Sequence, residues 1–341
     1  MKLVVVGATG AVGGAILGIL EERAFPVSEL VPVASARSAG RRLAFGGDTV
    51  TVAELDASVF EGADVALFDV PDDVARAWAP VAAKAGAVVV DNSAAWRLDP
   101  DVPLVVPEIN PEAVQHRARG IVASPNCTTL AMVVPVAALH ARASLERLVL
   151  SSYQAVSGAG RQGVDELWEQ TEIAVKDPEA VRRGTARDLL EGGEVFGHPI
   201  ALNVVPRCGS VKEAGYTSEE LKLCYETRKI LDLPELPVSA TCVRVPVVTG
   251  HGVAVHASFG RDISPEEAVT ILRGAPGVAV TDDPAAGDLP TPLEAAGRDP
   301  CFVGRVRADL FDPRALQMFC VADNLRKGAA LNTVQIAELL L

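Results

Sequence analysis

This chain has no basic surplus. Its 44 acidic residues against 31 basic ones leave a net charge of −13, which repels nucleic acid and anionic membrane surfaces at long range. It also lacks a long hydrophobic run: stretches such as Leu130–Leu139 are too short and too proline-broken to span a bilayer. The first residues show no basic segment, apolar core and small-residue cleavage site in succession, because Met1–Val6 runs straight into a glycine turn. Cysteine is sparse and scattered, at Cys127, Cys208, Cys224, Cys242, Cys301 and Cys320. None forms a CxxC pair, and the spacing fits neither a disulfide framework nor a zinc site. The expectation is a cytoplasmic protein without a metal, a membrane or a nucleic-acid partner. Internal repeats and low-complexity linkers are also missing. What remains is a 341-residue chain, 49% hydrophobic and 22% charged, long enough for two domains or one large α/β unit.

Lys2-Leu3-Val4-Val5-Val6 is a short apolar run stopped by Gly7, the pattern of a buried parallel strand. A helix follows from Ala11 through Ile16, Leu17 and Leu20. Apolar runs at 30–34, 65–68, 87–90 and 121–123 alternate with helical or turn-rich stretches, which predicts βαβ units and a parallel sheet covered on both faces. After Cys127 the texture changes. Strand-like segments at 148–156, 240–248 and 253–259 are separated by polar helical stretches at 163–176 and 218–231. The fold class is therefore α/β: a Rossmann-type dinucleotide-binding domain, followed by a second α+β domain. The segment 282–299 reads as a loop, and 328–341 as an apolar helix returning to the first domain.

Gly7-Ala8-Thr9-Gly10-Ala11-Val12-Gly13 lies between a strand and a helix. Glycine there allows a tight turn and lets backbone N–H groups approach a pyrophosphate at the helix N-terminus. The GxxGxxG spacing is only moderately specific; the alternative is a glycine turn without a ligand. The second strand ends in Ala34-Ser35-Ala36-Arg37-Ser38-Ala39-Gly40-Arg41-Arg42, without the acid that usually holds an NAD ribose. Hydroxyl and guanidinium groups suit a 2′-phosphate, so Ser35, Arg37 and Ser38 point to NADP, against the alternative of a solvated basic loop.

Ser124-Pro125-Asn126-Cys127-Thr128-Thr129 places a thiol after a strand and at the start of a helix. That position favours the thiolate, and neighbouring N–H groups can hold an oxyanion. A buried structural cysteine is the competing reading, accepted for the other five.

The chain resembles the aspartate-β-semialdehyde dehydrogenase family along essentially its whole length. The likeness rests on Gly7–Gly13, Ser35–Gly40, Asp91-Asn92-Ser93 with Arg97, and Val105-Val106-Pro107-Glu108-Ile109-Asn110. It continues through Ser124–Thr129, Tyr153–Gly160, Gly215-Tyr216-Thr217, Arg244-Val245-Pro246-Val247 and Gly250-His251, and ends with Ala322–Gly328. The resemblance implies a cofactor domain of residues 1–126 closed by 323–341, a catalytic and oligomerisation domain of 127–322, and a homodimer or homotetramer. It implies that Cys127 attacks aspartyl phosphate, expels inorganic phosphate and forms a thioester that NADPH reduces to aspartate semialdehyde. His251 becomes the acid/base that shuttles protons, and Gln154 orients the substrate carbonyl. Arg244 clamps the α-carboxylate, and Glu219 meets the α-ammonium. Arg97 and Lys222 hold phosphate, beside Asn126. Gly7, Thr9, Gly10, Ala11, Val12 and Gly13 take the cofactor, with Ser35, Arg37, Ser38, Ser157, Gly158 and Asn324. Without the resemblance, Glu219 and Lys222 read as an ordinary i,i+3 surface pair, and His251 as a structural histidine.

Two departures stand out. Where the family has a Ser-Ala-Gly-type turn facing the cofactor, this chain has Asp69-Val70-Pro71-Asp72-Asp73. Carboxylates near a pyrophosphate weaken binding and Pro71 removes a donor, so either affinity suffers or the loop points elsewhere. His251-Gly252-Val253 replaces the usual Ser-Glu pair after the histidine, and Gly252 suggests a looser turn there. Two other readings compete. One is a sister reductase of the N-acetylglutamyl-phosphate type, whose acylated nitrogen gives Glu219 no partner. The other is a non-catalytic NADP-binding protein.

Overall fold

Short Val- and Leu-rich strands build the first sheet. A computed structural model describes residues 1–190 and 192–341. In chain order it begins with β1 (Lys2–Val6), β2 (Glu29–Ala34), a hairpin of β3 (Arg42–Phe45) and β4 (Asp48–Thr51), β5 (Ala53–Glu54), β6 (Val65–Phe68), β7 (Val88–Asp91) and β8 (Ile121–Ala123). Six of these pair in the order β5-β2-β1-β6-β7-β8, every contact parallel. Two halves, each begun by one βαβ unit, thus diverge from a switch point between β1 and β6, the arrangement that opens a crevice at the carboxyl ends of those strands. All four residues of β6 are buried, which explains why it reads as an unbroken apolar run rather than an alternating one. Helix α1 (Ala11–Glu22) links β1 to β2, and α2 (Asp72–Lys84) links β6 to β7.

The second sheet is mixed. It contains β9 (Leu145–Gln154), β10 (Val238–Arg244), β11 (His251–Phe259), β12 (Val278–Val280), β13 (Cys301–Ala308) and β14 (Ala315–Ala322), in the order β10-β9-β11-β14-β13-β12. Around these run α3 (Cys127–Ala143), α4 (Arg161–Ala174), α5 (Pro178–Arg182), α6 (Ser218–Ile230), α7 (Pro265–Arg273) and α8 (Pro292–Ala295). The last is a single turn capped by Thr291 inside the stretch expected to be loop. The expected looser turn at Gly252 is absent, because Gly252 lies inside β11, paired with Tyr153 and Val321. A Cβ there would come within 2.7 Å of the Phe319 ring, so the residue makes room for an aromatic rather than for motion.

Two compact units result. One comprises Met1–Leu130, Tyr225–Pro234 and Leu325–Leu341; the other comprises Ala131–Cys224 and Glu235–Asn324. In the first, the closing segment is a π-helical turn, Arg326–Ala330, followed by α9 (Leu331–Glu338). Leu331, Val334 and Ile336 share one core with Leu3, Ile16 and Leu67. Lys327 is fully buried there, its Nζ 2.8 Å from both Glu108 carboxylate oxygens and 2.8 Å from Gln335 Oε1. Asn332 donates to the Val105 carbonyl at 3.1 Å and to Ser124 Oγ at 3.0 Å, fastening α9 to the strand end that precedes Cys127.

Candidate active site

In the first unit the glycine turn follows β1 at the switch point. Gly7 adopts φ +94°, a left-handed backbone that favours glycine, and a Cβ on it would run into the Asp69 carbonyl. One on Gly13 would strike the Gly7 carbonyl, so α1 packs this close to the strand only without a side chain. Gly10 is the N-cap of α1 and supplies no side-chain cap, so the first N–H groups of the helix lack that partner. The result is a cradle with the positive end of a helix dipole behind it, which fits a dinucleotide pyrophosphate. Thr9 and Val12 are half-buried, and Gly10 and Ala11 exposed, on that rim. Past β2, Ser35 and Arg37 are exposed, whereas Ser38 is buried in a turn whose amide donates to the Ser35 carbonyl at 2.8 Å.

The acidic loop after β6 divides. Asp72 and Asp73 lie in the first turn of α2, where a helix N-terminus favours negative charge, and Asp72 accepts the Ala94 N–H at 2.9 Å. Asp69 turns inward instead. Its carboxylate accepts from Asn92 Nδ2 at 3.0 Å, and burial raises its pKa while that hydrogen bond opposes the rise.

The segment carrying Cys127 is built by capping. Asn126 Oδ1 accepts the N–H groups of Thr128 at 2.9 Å and Thr129 at 3.3 Å, which seats Cys127 as the first residue of α3. Its thiol therefore faces the positive end of a helix dipole. Cys127 is partly accessible, whereas the other five cysteines are buried, and burial raises the pKa of Cys242 and Cys320. Glu226, from the second half of α6, accepts the Asn126 N–H at 2.6 Å and pairs with Arg97 at 3.1 Å. Arg97 also donates to the Asn92 carbonyl at 2.8 Å. Glu226 escaped the sequence reading, although it lies seven residues beyond Glu219 on one helix, a spacing that returns to the same face.

In the second unit three strand ends converge. Arg244 of β10 pairs in register with Gln154 of β9, and Gly252 of β11 pairs with Tyr153, so His251 arrives beside Gln154. Ala155 joins them: its carbonyl accepts from Arg244 Nη1 at 2.7 Å and its N–H donates to His251 Nδ1 at 3.0 Å. That last bond decides the tautomer. A backbone N–H can only donate, so Nδ1 is unprotonated and the neutral ring carries its proton on Nε2. Burial, and then the Arg244 charge, lower the His251 pKa to about 3, with Glu219 and a backbone hydrogen bond to Gly250 opposing. His251 Nε2 has no hydrogen-bond partner among the described residues. Accepting a proton at Nε2 would first require Nδ1 to take one and give up Ala155.

Gly158 presses on the same group, since a Cβ there would lie 3.0 Å from Arg244 Nη1 and 3.1 Å from His251 Nε2. Asn324 donates to Ser157 Oγ at 2.9 Å and accepts the Gly250 N–H at 2.8 Å, which ties Ser157 to the turn before His251. On the first turn of α6, Glu219 and Lys222 form an ion pair at 2.6 Å. No cluster of three or more His, Cys, Asp or Glu with metal-holding geometry occurs among the described residues. The first unit thus offers a helix-start thiol and a dinucleotide cradle, and the second a buried guanidinium beside a neutral imidazole with an Nε2 donor free among the described residues.

Comparison with known proteins points the same way. Residues 2–117 match the family described as semialdehyde dehydrogenase, NAD binding domain, and residues 136–327 match semialdehyde dehydrogenase, dimerisation domain. The aspartate-semialdehyde dehydrogenase of Streptomyces akiyoshiensis is 50% identical, over 99% of this chain and 98% of that one. The Aquifex aeolicus protein of the same name is 48% identical, over 99% and 97%. Among solved structures, aspartate semialdehyde dehydrogenase II of Vibrio cholerae, complexed with ASA, superposes with a TM-score of 0.92 at 41% identity, covering 99% of this chain and 97% of that one. The Candida albicans enzyme with NADP gives 0.73 at 26% identity, covering 99% and 98%.

Proposed function

This chain belongs to the aspartate-semialdehyde dehydrogenase family, an NAD(P)-binding oxidoreductase with a dimerisation domain, and from that premise we propose how its residues divide the work. The reaction is the reversible reductive dephosphorylation of L-aspartyl 4-phosphate to L-aspartate 4-semialdehyde, a step of amino-acid biosynthesis leading to lysine, threonine and methionine. The Cys127 thiolate attacks the acyl carbon, the bond from that carbon to the phosphate oxygen breaks, and inorganic phosphate leaves with the electron pair. NADPH, when bound, supplies the hydride that reduces the resulting thioester. The hemithioacetal then collapses to the aldehyde and regenerates the Cys127 thiolate.

Arg244 pairs with the α-carboxylate through its guanidinium fork, and Glu219 meets the α-ammonium. Arg97 and Lys222 neutralise the departing phosphate, and Asn126, which immediately precedes Cys127, joins the substrate contacts. Gln154 orients the carbonyl. His251 donates from Nε2 to the oxygen that gains negative charge, the service its ring is already protonated to give. Full proton shuttling requires it to exchange the Ala155 hydrogen bond for a proton. NADP is preferred over NAD because Ser35, Arg37 and Ser38 stand where a ribose-binding acid would. Gly7–Gly13, Ser157, Gly158 and Asn324 complete the cofactor contacts, and the chain assembles as a homodimer in the cytoplasm.

The observation that supports this reading most is the capped helix start that presents Cys127, and no other cysteine, as an accessible thiol. Purified protein should reduce NADP with aspartate semialdehyde only when phosphate is added, and Cys127→Ala should abolish turnover. Sustained turnover by the alanine variant would refute thioester catalysis, and preference for NAD would refute the cofactor choice. N-acetylglutamate semialdehyde should be a poor substrate; if it were the better one, the role of Glu219 would fall.

A further inference from the structure

Asp69 immediately follows β6, and Gly7 immediately follows β1, the two strands that flank the switch point. Its side chain faces the glycine turn: Oδ2 lies 3.9 Å from where a Cβ on Gly10 would stand. Gly10 caps α1 without a side chain, so this carboxylate already stands near the positive end of that helix. It is held there. Asn92 Nδ2 donates to Oδ1 at 3.0 Å, and the Asp69 N–H is bonded to the Val6 carbonyl at 2.9 Å.

The charged groups around it are turned to other partners. Asp72 accepts from Ala94, Asp91 accepts from Ser93 Oγ at 2.6 Å, and Arg97 reaches the Asn92 carbonyl and Glu226. A pyrophosphate on the glycine turn brings negative charge into a cradle that a partly buried carboxylate faces, and like charges brought together in a protein interior repel. We propose that Asp69 sets how tightly this chain holds its dinucleotide, because its carboxylate must take up a proton from solvent as the pyrophosphate settles on the glycine turn. The inference rests on the cofactor reading above. Burial favours the protonated form of Asp69, and the Asn92 hydrogen bond survives protonation, since the other oxygen can carry the proton.

The test is calorimetric titration of the full chain with NADP at pH 6, 7 and 8, in buffers of different ionisation enthalpy. The parent should bind more weakly as pH rises, with net proton uptake. Asp69→Asn keeps the acceptor for Asn92, and Asp69→Ser removes it. Both should bind about tenfold more tightly at pH 8, as expected for relief of one charge repulsion, with the proton uptake lost. Circular dichroism checks that each variant is folded, and agreement between two variants of different size separates loss of charge from loss of packing. Equal affinity and equal proton uptake in all three proteins would overturn this inference alone. Failure of all three to bind NADP would overturn the cofactor reading and this inference with it.

Discussion

His251 shows how much one backbone hydrogen bond can decide. Ala155 fixes the ring as the Nε2–H tautomer, and burial holds its pKa at about 3 against 6.5 for an exposed imidazole. Between those values the unfolded chain binds a proton that the native protein does not, so His251 subtracts stability as pH falls from about 6.5 toward 3. Asp91 acts in the opposite sense. Burial raises its pKa to about 6, so it adds stability that is present below its unfolded value near 3.8 and lost as pH rises through 6. The two slopes offset in the parent, and a difference measurement isolates each. Melting temperatures of His251→Asn should gain on the parent as pH is lowered through that window, and those of Asp91→Asn should gain as pH is raised. Parallel profiles would show that neither group titrates as described. Arg244→Lys should raise the KM for aspartate semialdehyde more than it lowers kcat, since lysine keeps the charge but not the fork that binds a carboxylate.

At the scale of elements, the N-terminus of α3 joins stability to reactivity. Asn126→Ala removes the acceptor for two amide groups and should cost about 1 kcal/mol in denaturant unfolding. It should also raise the pH midpoint of Cys127 alkylation, because a frayed first turn no longer stabilises the thiolate. An unchanged alkylation profile would show that the cap does not govern the sulfur. The elements easiest to read in the sequence were those with a single repeating period. The buried parallel strands stand out as apolar runs, and α1 begins where the glycine turn ends. Harder to read were β13 and β14, whose sequences Cys301–Ala308 and Ala315–Ala322 mix Arg, Gln and Ala with few β-branched residues. Their strand character comes from pairing with each other and with β11, which no local pattern records. At the candidate site, a thiol at a helix start could be read from the Cys127 segment itself, whereas Arg244 and His251 were named only through the family resemblance. The site was not legible where the backbone does the positioning: Ala155 serves through its N–H and carbonyl alone, and no residue identity announces that. Glu226 was obscured because helix periodicity alone does not distinguish a buried carboxylate from a solvated one.

At the scale of the whole molecule, each compact unit is assembled from segments distant in sequence, and buried polar contacts hold the far pieces in place. Lys327 and Glu108 are the clearest case, a fully buried lysine paired with a mostly buried carboxylate, joining segments more than two hundred residues apart within the first unit. Lys327→Met leaves Glu108 charged without its cation and should destabilise the protein by roughly 3–5 kcal/mol. The double variant Lys327→Met, Glu108→Leu should recover most of that loss in urea unfolding. If both variants unfolded at the same urea concentration, Lys327 would be contributing packing rather than charge.

The place of α9 also has a consequence for how the protein comes into being on the ribosome. The strands of the first sheet emerge early, yet the helix that fills their core and fastens Ser124 is translated only after the whole second sheet. Until that helix is made, the nascent chain must carry an open apolar flank through the making of the entire second sheet. A stalled or prematurely terminated message should therefore release a product that chaperones retain and proteases clear, even when only the α9 codons are missing.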